Sequence, residues 1–394
     1  MTKSRDEHRH RIDESTFVIA SNGFAEGPAQ ALRDYLVAHD ARRVTVVNHP
    51  LVAEGGNKHV VTTYSGAETK TREYRLPNKP PYTYLLDPFI PLRLPASTAW
   101  FGFNNLAALR GLSRRRFGKT DRVYYWAVDF VPQRFGRGPA TAAYRRVDQL
   151  VCSRVDARIE LTAEALRGRT SALSLNVHAM APAIVVPMGA WLGRTPKVMP
   201  SSWREQRLVY LGHLVERQGV ATLIESLPRL LDKHPLVRVD IIGSGPLENR
   251  LRDLARDLDV SGHVEFHGFV SDHKDVERIL ARATIAVAPY VKDSESFTRY
   301  ADPGKLKAYL AAGLPIVLTD VPPNAQELEA AGVAILSDDK PEALAWAVER
   351  LLADETLWLA ARVAALEYAQ QFDWNTVLGE GLAKLGFVAG GAGR

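Results

Sequence analysis

Residues 302–315 (DPGKLKAYLAAGLP) combine two features that can hold a diphosphate: main-chain amides at a helix start and a nearby cation. Pro303 suits the first turn of a helix, where its missing N–H costs nothing. The amides of Gly304 and Lys305 then face outward with the Lys305 charge beside them, while Lys307 is expected in solvent. The bland reading of this segment is an ordinary capped helix. Residues 241–246 (IIGSGP) follow an apolar run and open another helical pattern, so Gly243 and Gly245 can let backbone close on an anion. As a dinucleotide fingerprint the turn fails at its third glycine, where Glu248 stands, and a plain tight turn is an equal reading. Residues 292–300 (KDSESFTRY) offer Glu295, Ser296 and Thr298 to sugar or ribose hydroxyls, or form a solvated turn.

The first half carries its own set. Gly23 and Gly27, in residues 21–27 (SNGFAEG), permit close approach of a second ligand or of donor phosphates. Asp129 follows an apolar run within residues 125–135 (YWAVDFVPQRF). A carboxylate there could orient or deprotonate an acceptor hydroxyl, or merely cap the next turn. Residues 110–119 (RGLSRRRFGK) are the densest basic run, with Arg114, Arg115, Arg116 and Lys119 beside Phe117. That pattern suits an anionic membrane surface or a lipid phosphate, although a basic run is more commonly a solvated helix face.

These groups do chemistry only if elements converge on them. In open parallel sheets, ligands bind beyond the carboxyl ends of the strands. Strands are predicted at 16–20, 43–48, 122–126, 149–153 and 184–187, with a helix over 28–39. The second half alternates more cleanly. Strands fall at 208–211, 238–242, 264–267, 285–289 and 315–319, and helices at 219–233, 247–258, 272–283, 303–312, 325–331, 341–353 and 355–372. The alternation is that of βαβ units, and the continuous apolar runs suit strands buried on both faces. Residues 193–204 (GRTPKVMPSSWR) are polar, proline-bearing and aperiodic, which predicts a linker. The expected division is a polar tail over 1–15, a first domain over 16–192, the linker, a second domain over 205–371, and a closing helix and tail over 372–394.

At 394 residues the chain has room for two to three domains, and 46% hydrophobic with 24% charged content excludes a disordered or fibrous protein. The single cysteine, Cys152, excludes an internal disulfide and a cysteine-based zinc cluster, and favours a reducing compartment. The net charge of +5 conceals a split. Residues 1–200 hold 29 Lys+Arg against 17 Asp+Glu, and residues 201–394 hold 21 against 28. A basic half suits phosphates, an anionic membrane or nucleic acid. No apolar core marks residues 1–15 as a signal peptide, and the longest apolar stretch, 177–192, is broken by Pro182 and Pro187. The expectation is a cytoplasmic protein, peripheral at most on the inner face of the cell membrane.

Five segments then occur in an ordered series: residues 208–219 (LVYLGHLVERQG), 239–251 (VDIIGSGPLENRL), 264–270 (VEFHGFV), 286–289 (AVAP) and 306–317 (LKAYLAAGLPIV). In order and spacing they resemble the GT-B glycosyltransferases of the family 4 type. The first half resembles that family more weakly, near Gly23 and through residues 185–191 (VVPMGAW). The resemblance implies an α/β fold of GT-B architecture: two facing Rossmann-like parallel-sheet domains with a crossing C-terminal helix. It implies a nucleotide-sugar donor on the second domain, a glycan or lipid-linked acceptor on the first, retention of configuration, and no metal or other cofactor. The implied setting is bacterial cell-surface glycan, polysaccharide or glycolipid synthesis. On the donor side it places Gly243, Gly245, Phe269, Pro303, Gly304 and Lys305.

The chain also departs from that pattern. The family's arginine and lysine fall here at His213 and Gln218, with Arg217 adjacent as a replacement charge. Its paired glutamates fall at Tyr300 and Ala308, so the roles are expected to pass to Glu295 or Ser296 and to Lys305, as in a subgroup with D-P-x-K before Y-L-A-x-G-L-P. These losses keep open a degenerate relative that binds nucleotide or glycan without transfer. A nicotinamide oxidoreductase rests on residues 241–246 alone, and no reader motif supports nucleic-acid binding.

Overall fold

A computed structural model describes residues 10–23, 27–50, 58–75, 83–131, 136, 138–173, 179–292 and 300–390. The chain divides into two compact units, Met1–Pro187 with Trp374–Arg394, and Met188–Asp373.

The first unit is built on an eight-stranded sheet. Its strands are β2 (Thr16–Asn22), β3 (Arg43–His49), β4 (Lys58–Ser65), β5 (Glu68–Arg75), β6 (Ser97–Gly102), β7 (Thr120–Ala127), β8 (Ala157–Glu160) and β9 (Ala183–Val185), in the order β5-β4-β3-β2-β6-β7-β8-β9. β3, β2, β6, β7, β8 and β9 pair in parallel, while β3–β4 and β4–β5 pair antiparallel. β2 lies between β3 and β6, so the loops leaving it and β6 diverge. Phe17, Val18, Ile19 and Ala20 of β2 are fully buried, as a two-faced central strand requires.

Several expectations are corrected here. Residues 149–153 are not a strand but part of the Pro139–Arg154 helix, where Val151 and Cys152 form the buried stripe. A short apolar run cannot by itself distinguish a strand from one helix face. The strand follows at β8 instead. The β4–β5 hairpin escapes hydrophobic patterning because β5 (ETKTREYR) is an almost wholly exposed edge strand. Such charge on an edge discourages pairing with other chains. The expected polar tail is structured from His10 onward. β1 (His10–Arg11) pairs in parallel with β16 (Phe387–Val388), and Ile12 is buried. The Trp374–Lys384 helix and β16 thus complete the first unit.

The second unit holds a six-stranded, wholly parallel sheet. β10 (Arg207–Leu211), β11 (Arg238–Ile242), β12 (Val264–Gly268), β13 (Ile285–Ala288), β14 (Ile316–Thr319) and β15 (Ala334–Ser337) lie in the order β12-β11-β10-β13-β14-β15. The expected 219–233 helix divides at Ser226 into Val220–Glu225 and Leu227–Lys233, with Pro228 in the first turn of the second piece. Residues 193–204, expected as a linker, pack on this unit. Val198 is buried and its amide bonds the Ala312 carbonyl at 2.8 Å, while Lys197 Nζ donates to the Leu192 and Ala311 carbonyls. The seams fall at residues 187/188 and 373/374.

Candidate active site

The second unit's crevice opens at β10, whose neighbours β11 and β13 send their connections to opposite sides. Three turns meet there so closely that side chains are excluded. Gly212 ends β10 at φ +149°, and its amide bonds the Ile242 carbonyl at 2.9 Å. A Cβ on Gly212 would stand 2.7 Å from Lys305 Nζ, and one on Gly243 (φ +132°) 1.9 Å from the Gly212 carbonyl oxygen. A Cβ on Gly245 would meet the Leu214 carbonyl oxygen at 2.4 Å. The glycine pair therefore packs turn against turn, which its phosphate reading alone did not require.

Lys305 rises from the first turn of the Gly304–Ala312 helix, which Pro303 caps in extended backbone. Its ammonium donates to Gln218 Oε1 at 2.6 Å and lies over the rings of Tyr210 and Tyr290, 4.3 and 5.0 Å from their centroids. Burial penalises the charged form and pulls the Lys305 pKa down to about 7. The single proton of the Tyr210 hydroxyl is shared between two acceptors, the His213 carbonyl at 3.1 Å and Gln218 Oε1 at 3.3 Å. The Tyr290 hydroxyl is buried and has no hydrogen-bond partner among the described residues. The result is an enclosed cation with an aromatic floor at a helix start, suited to an anionic oxygen cluster.

Gln218 occupies the position where the family pattern carries a lysine, and the ammonium beside it arrives instead from residue 305. Arg217 is half-buried, and its carbonyl accepts from the Val291 amide at 3.1 Å. His213 and Phe269 are exposed on the same rim of strand ends. Gly304 is half-buried, and a Cβ there would touch Met188 Cε at 3.2 Å. Lys307 is not in solvent: it is buried, 3.1 Å from Asp302 Oδ1 and over the Phe372 ring. Asp302 also accepts the Met188 amide at 2.7 Å, so this pair braces the approach to the helix. Glu295, Ser296 and Thr298 lie outside the described residues. Tyr210 and Tyr290 were missed because, within apolar runs, an aromatic reads as core.

In the first unit, Gly23 closes β2 at φ +88°, and its amide bonds the His49 carbonyl at 2.8 Å. Asp129 is exposed just beyond β7. Its carbonyl accepts from Arg169, whose guanidinium is buried and also bonds Glu160 at 2.8 Å, Asp148 at 2.6 Å and the Tyr125 hydroxyl at 3.1 Å. A desolvated charge network thus fixes the backbone of the Asp129 loop. The basic run divides in two. Arg114 donates to the Leu94 and Pro95 carbonyls, and Arg115 pairs with Asp156 at 2.6 Å, whereas Arg116 and Lys119 are exposed.

Residues 205–354 match the model of the family described as glycosyl transferases group 1. Phosphatidyl-myo-inositol mannosyltransferase of Mycolicibacterium smegmatis is 33% identical over 178 residues, covering 44% of this chain and 43% of that protein. The chain spans less than half the length of the curated relatives it matches. Among solved structures, sucrose-phosphate synthase from Thermosynechococcus elongatus aligns over 94% of this chain and 99% of its own, with a TM-score of 0.71 at 16% identity. HepE of Anabaena, solved in complex with UDP and glucose, aligns over the same shares with a TM-score of 0.64 at 16% identity.

Proposed function

We propose, from the match of residues 205–354 to the group 1 glycosyl transferases and from the GT-B fold, that the chain transfers a sugar from a nucleoside-diphosphate donor to an acceptor hydroxyl. The observation that carries this reading is Lys305, a partly desolvated ammonium at the start of the Gly304–Ala312 helix beside the β10 crevice. There it would stabilise the leaving diphosphate as the bond from the anomeric carbon to the donor oxygen breaks. The electron pair departs with the diphosphate, the acceptor oxygen bonds to the anomeric carbon, and its proton passes to a donor phosphate oxygen. Configuration is retained and no metal takes part. A protein base is then optional, and Asp129 is assigned to the acceptor side. Arg217 and His213 are assigned to the donor rim, and Glu295, Ser296 and Thr298 to the donor's hydroxyls.

A sugar nucleotide is supported by the UDP complex of a structural neighbour, and a lipid-linked or glycan acceptor by the phosphatidyl-inositol mannosyltransferase relative. The reading places the protein in bacterial surface-glycan or glycolipid synthesis, cytoplasmic or peripheral on the inner membrane face. Turnover of a nucleotide-sugar panel against lipid and glycan acceptors tests it. Lys305→Ala should lower kcat/KM roughly 100-fold or more. Full activity in that variant would remove Lys305 from the reaction. Nucleotide binding without transfer to any acceptor would favour the non-catalytic relative that the residues at Tyr300 and Ala308 allow.

A further inference from the structure

His49 ends β3 and His59 stands near the start of β4, one step beyond the antiparallel Asn48–Val60 pair. The register therefore sets two imidazoles side by side across the strand pair. The turn Thr83–Phe89 brings Asp87 against them, and all three side chains are buried. His49 Nδ1 lies 2.8 Å from His59 Nδ1, and Asp87 Oδ1 is 3.6 Å from the first and 4.0 Å from the second. The two longer separations exceed hydrogen-bond range. The point in the plane of the three atoms that is equidistant from them lies about 2.1 Å from each, the Zn–N and Zn–O distance. Donors around a tetrahedral zinc are typically about 3.3 Å apart, within the spread seen here.

The surroundings orient this set. Asn22 Nδ2 donates to Asp87 Oδ2 at 2.8 Å, leaving Oδ1 toward the imidazoles, as an outer partner of a metal carboxylate does. Arg110 donates to the Asp87 and Ile90 carbonyls at 3.1 and 2.8 Å and so fixes the turn. Its charge opposes a cation, while Asp87 supplies the compensating anion. Two imidazoles and one carboxylate are donors for zinc or a neighbouring divalent transition metal, not for magnesium or calcium.

We propose that His49, His59 and Asp87 bind one divalent transition metal ion, of which zinc is the chemical match. The ion ties the 83–89 turn to the ends of β3 and β4. Because the Gly23 amide bonds the His49 carbonyl, it also steadies Gly23 at the end of β2. The site lies wholly within the first unit, and none of its three ligands is a residue assigned above to donor or acceptor.

The test uses the full chain, stripped with a chelator and titrated with zinc against a chromogenic competitor. One zinc per chain is expected, and cobalt in its place should give visible ligand-field bands. His59→Gln should abolish those bands and weaken zinc at least about 100-fold, and Asn22→Ala should weaken it roughly 10–100-fold. His267→Gln, in the half-exposed Asp240, Glu265 and His267 group, should change nothing. Absence of stoichiometric zinc in the wild type overturns the proposal. So does unchanged affinity in Asn22→Ala, even if His59→Gln fails to fold, and so does loss of binding in His267→Gln.

Discussion

Lys305 faces two demands. Burial favours its neutral form, and a diphosphate favours its charged form. With the free ammonium titrating near pH 7, a bound diphosphate raises the pKa and binding takes up a proton above neutrality. Donor affinity should be greatest below about pH 7 and fall toward tenfold per pH unit above it, until the pKa of the bound state is reached. Donor dissociation constants measured from pH 6 to 9 check this. A flat profile would mean that the ammonium does not meet the phosphates. Gln218 shows how a substitution legible as a loss can be a relocation. One position gives up its lysine and the charge returns from a helix about 90 residues later. Sequence could register the missing cation but not the 2.6 Å contact that replaces it.

At the level of elements, the crevice depends on turns that tolerate no side chain. Gly219 has φ +67°, and a Cβ there would stand 1.7 Å from the Pro289 carbonyl oxygen. Gly219→Ala should destabilise the second unit by about 2–4 kcal/mol, read by denaturant unfolding. Native stability in that variant would show that the two loops can part without cost. The basic helix end makes a contrast. Arg114 holds two carbonyls through its half-buried guanidinium, so Arg114→Glu should cost about 1–3 kcal/mol. Arg116→Glu with Lys119→Glu should leave stability intact and reduce flotation with anionic vesicles at low salt. Flotation equal to wild type would remove these residues from any membrane surface. Five of the second unit's six strands were legible because their runs are continuously apolar and separated by helical patterns. β15 and, in the first unit, β4, β5, β6 and β8 were not. β5 is exposed on both faces, and β8 (ARIE) buries an arginine and a glutamate that neutralise each other, which no hydrophobic pattern announces.

Across the whole molecule, the unit that holds the donor crevice is the more acidic by composition. An anionic ligand there must be drawn by local amides and Lys305, so donor binding should depend on salt far less than vesicle association does. The two halves of the charge split thus act over different ranges, one within a few ångströms and one over a Debye length.

The path of the chain has a further consequence. The first unit is left at Pro187 and finished only by residues after Asp373, with Phe387 buried 5.3 Å from the Phe17 ring and 6.0 Å from Tyr124. On the ribosome, residues 188–373 are all present and can pack while the earlier-made half still waits for its last helix and strand. Birth order and completion order are therefore reversed. Chains stopped after Asp373 should carry a protease-resistant second unit and a cleavable first one, and equal resistance of both would show that the returning segment is dispensable. Between those moments the unfinished half exposes the apolar slot for Phe387, which is where a chaperone would find the nascent chain.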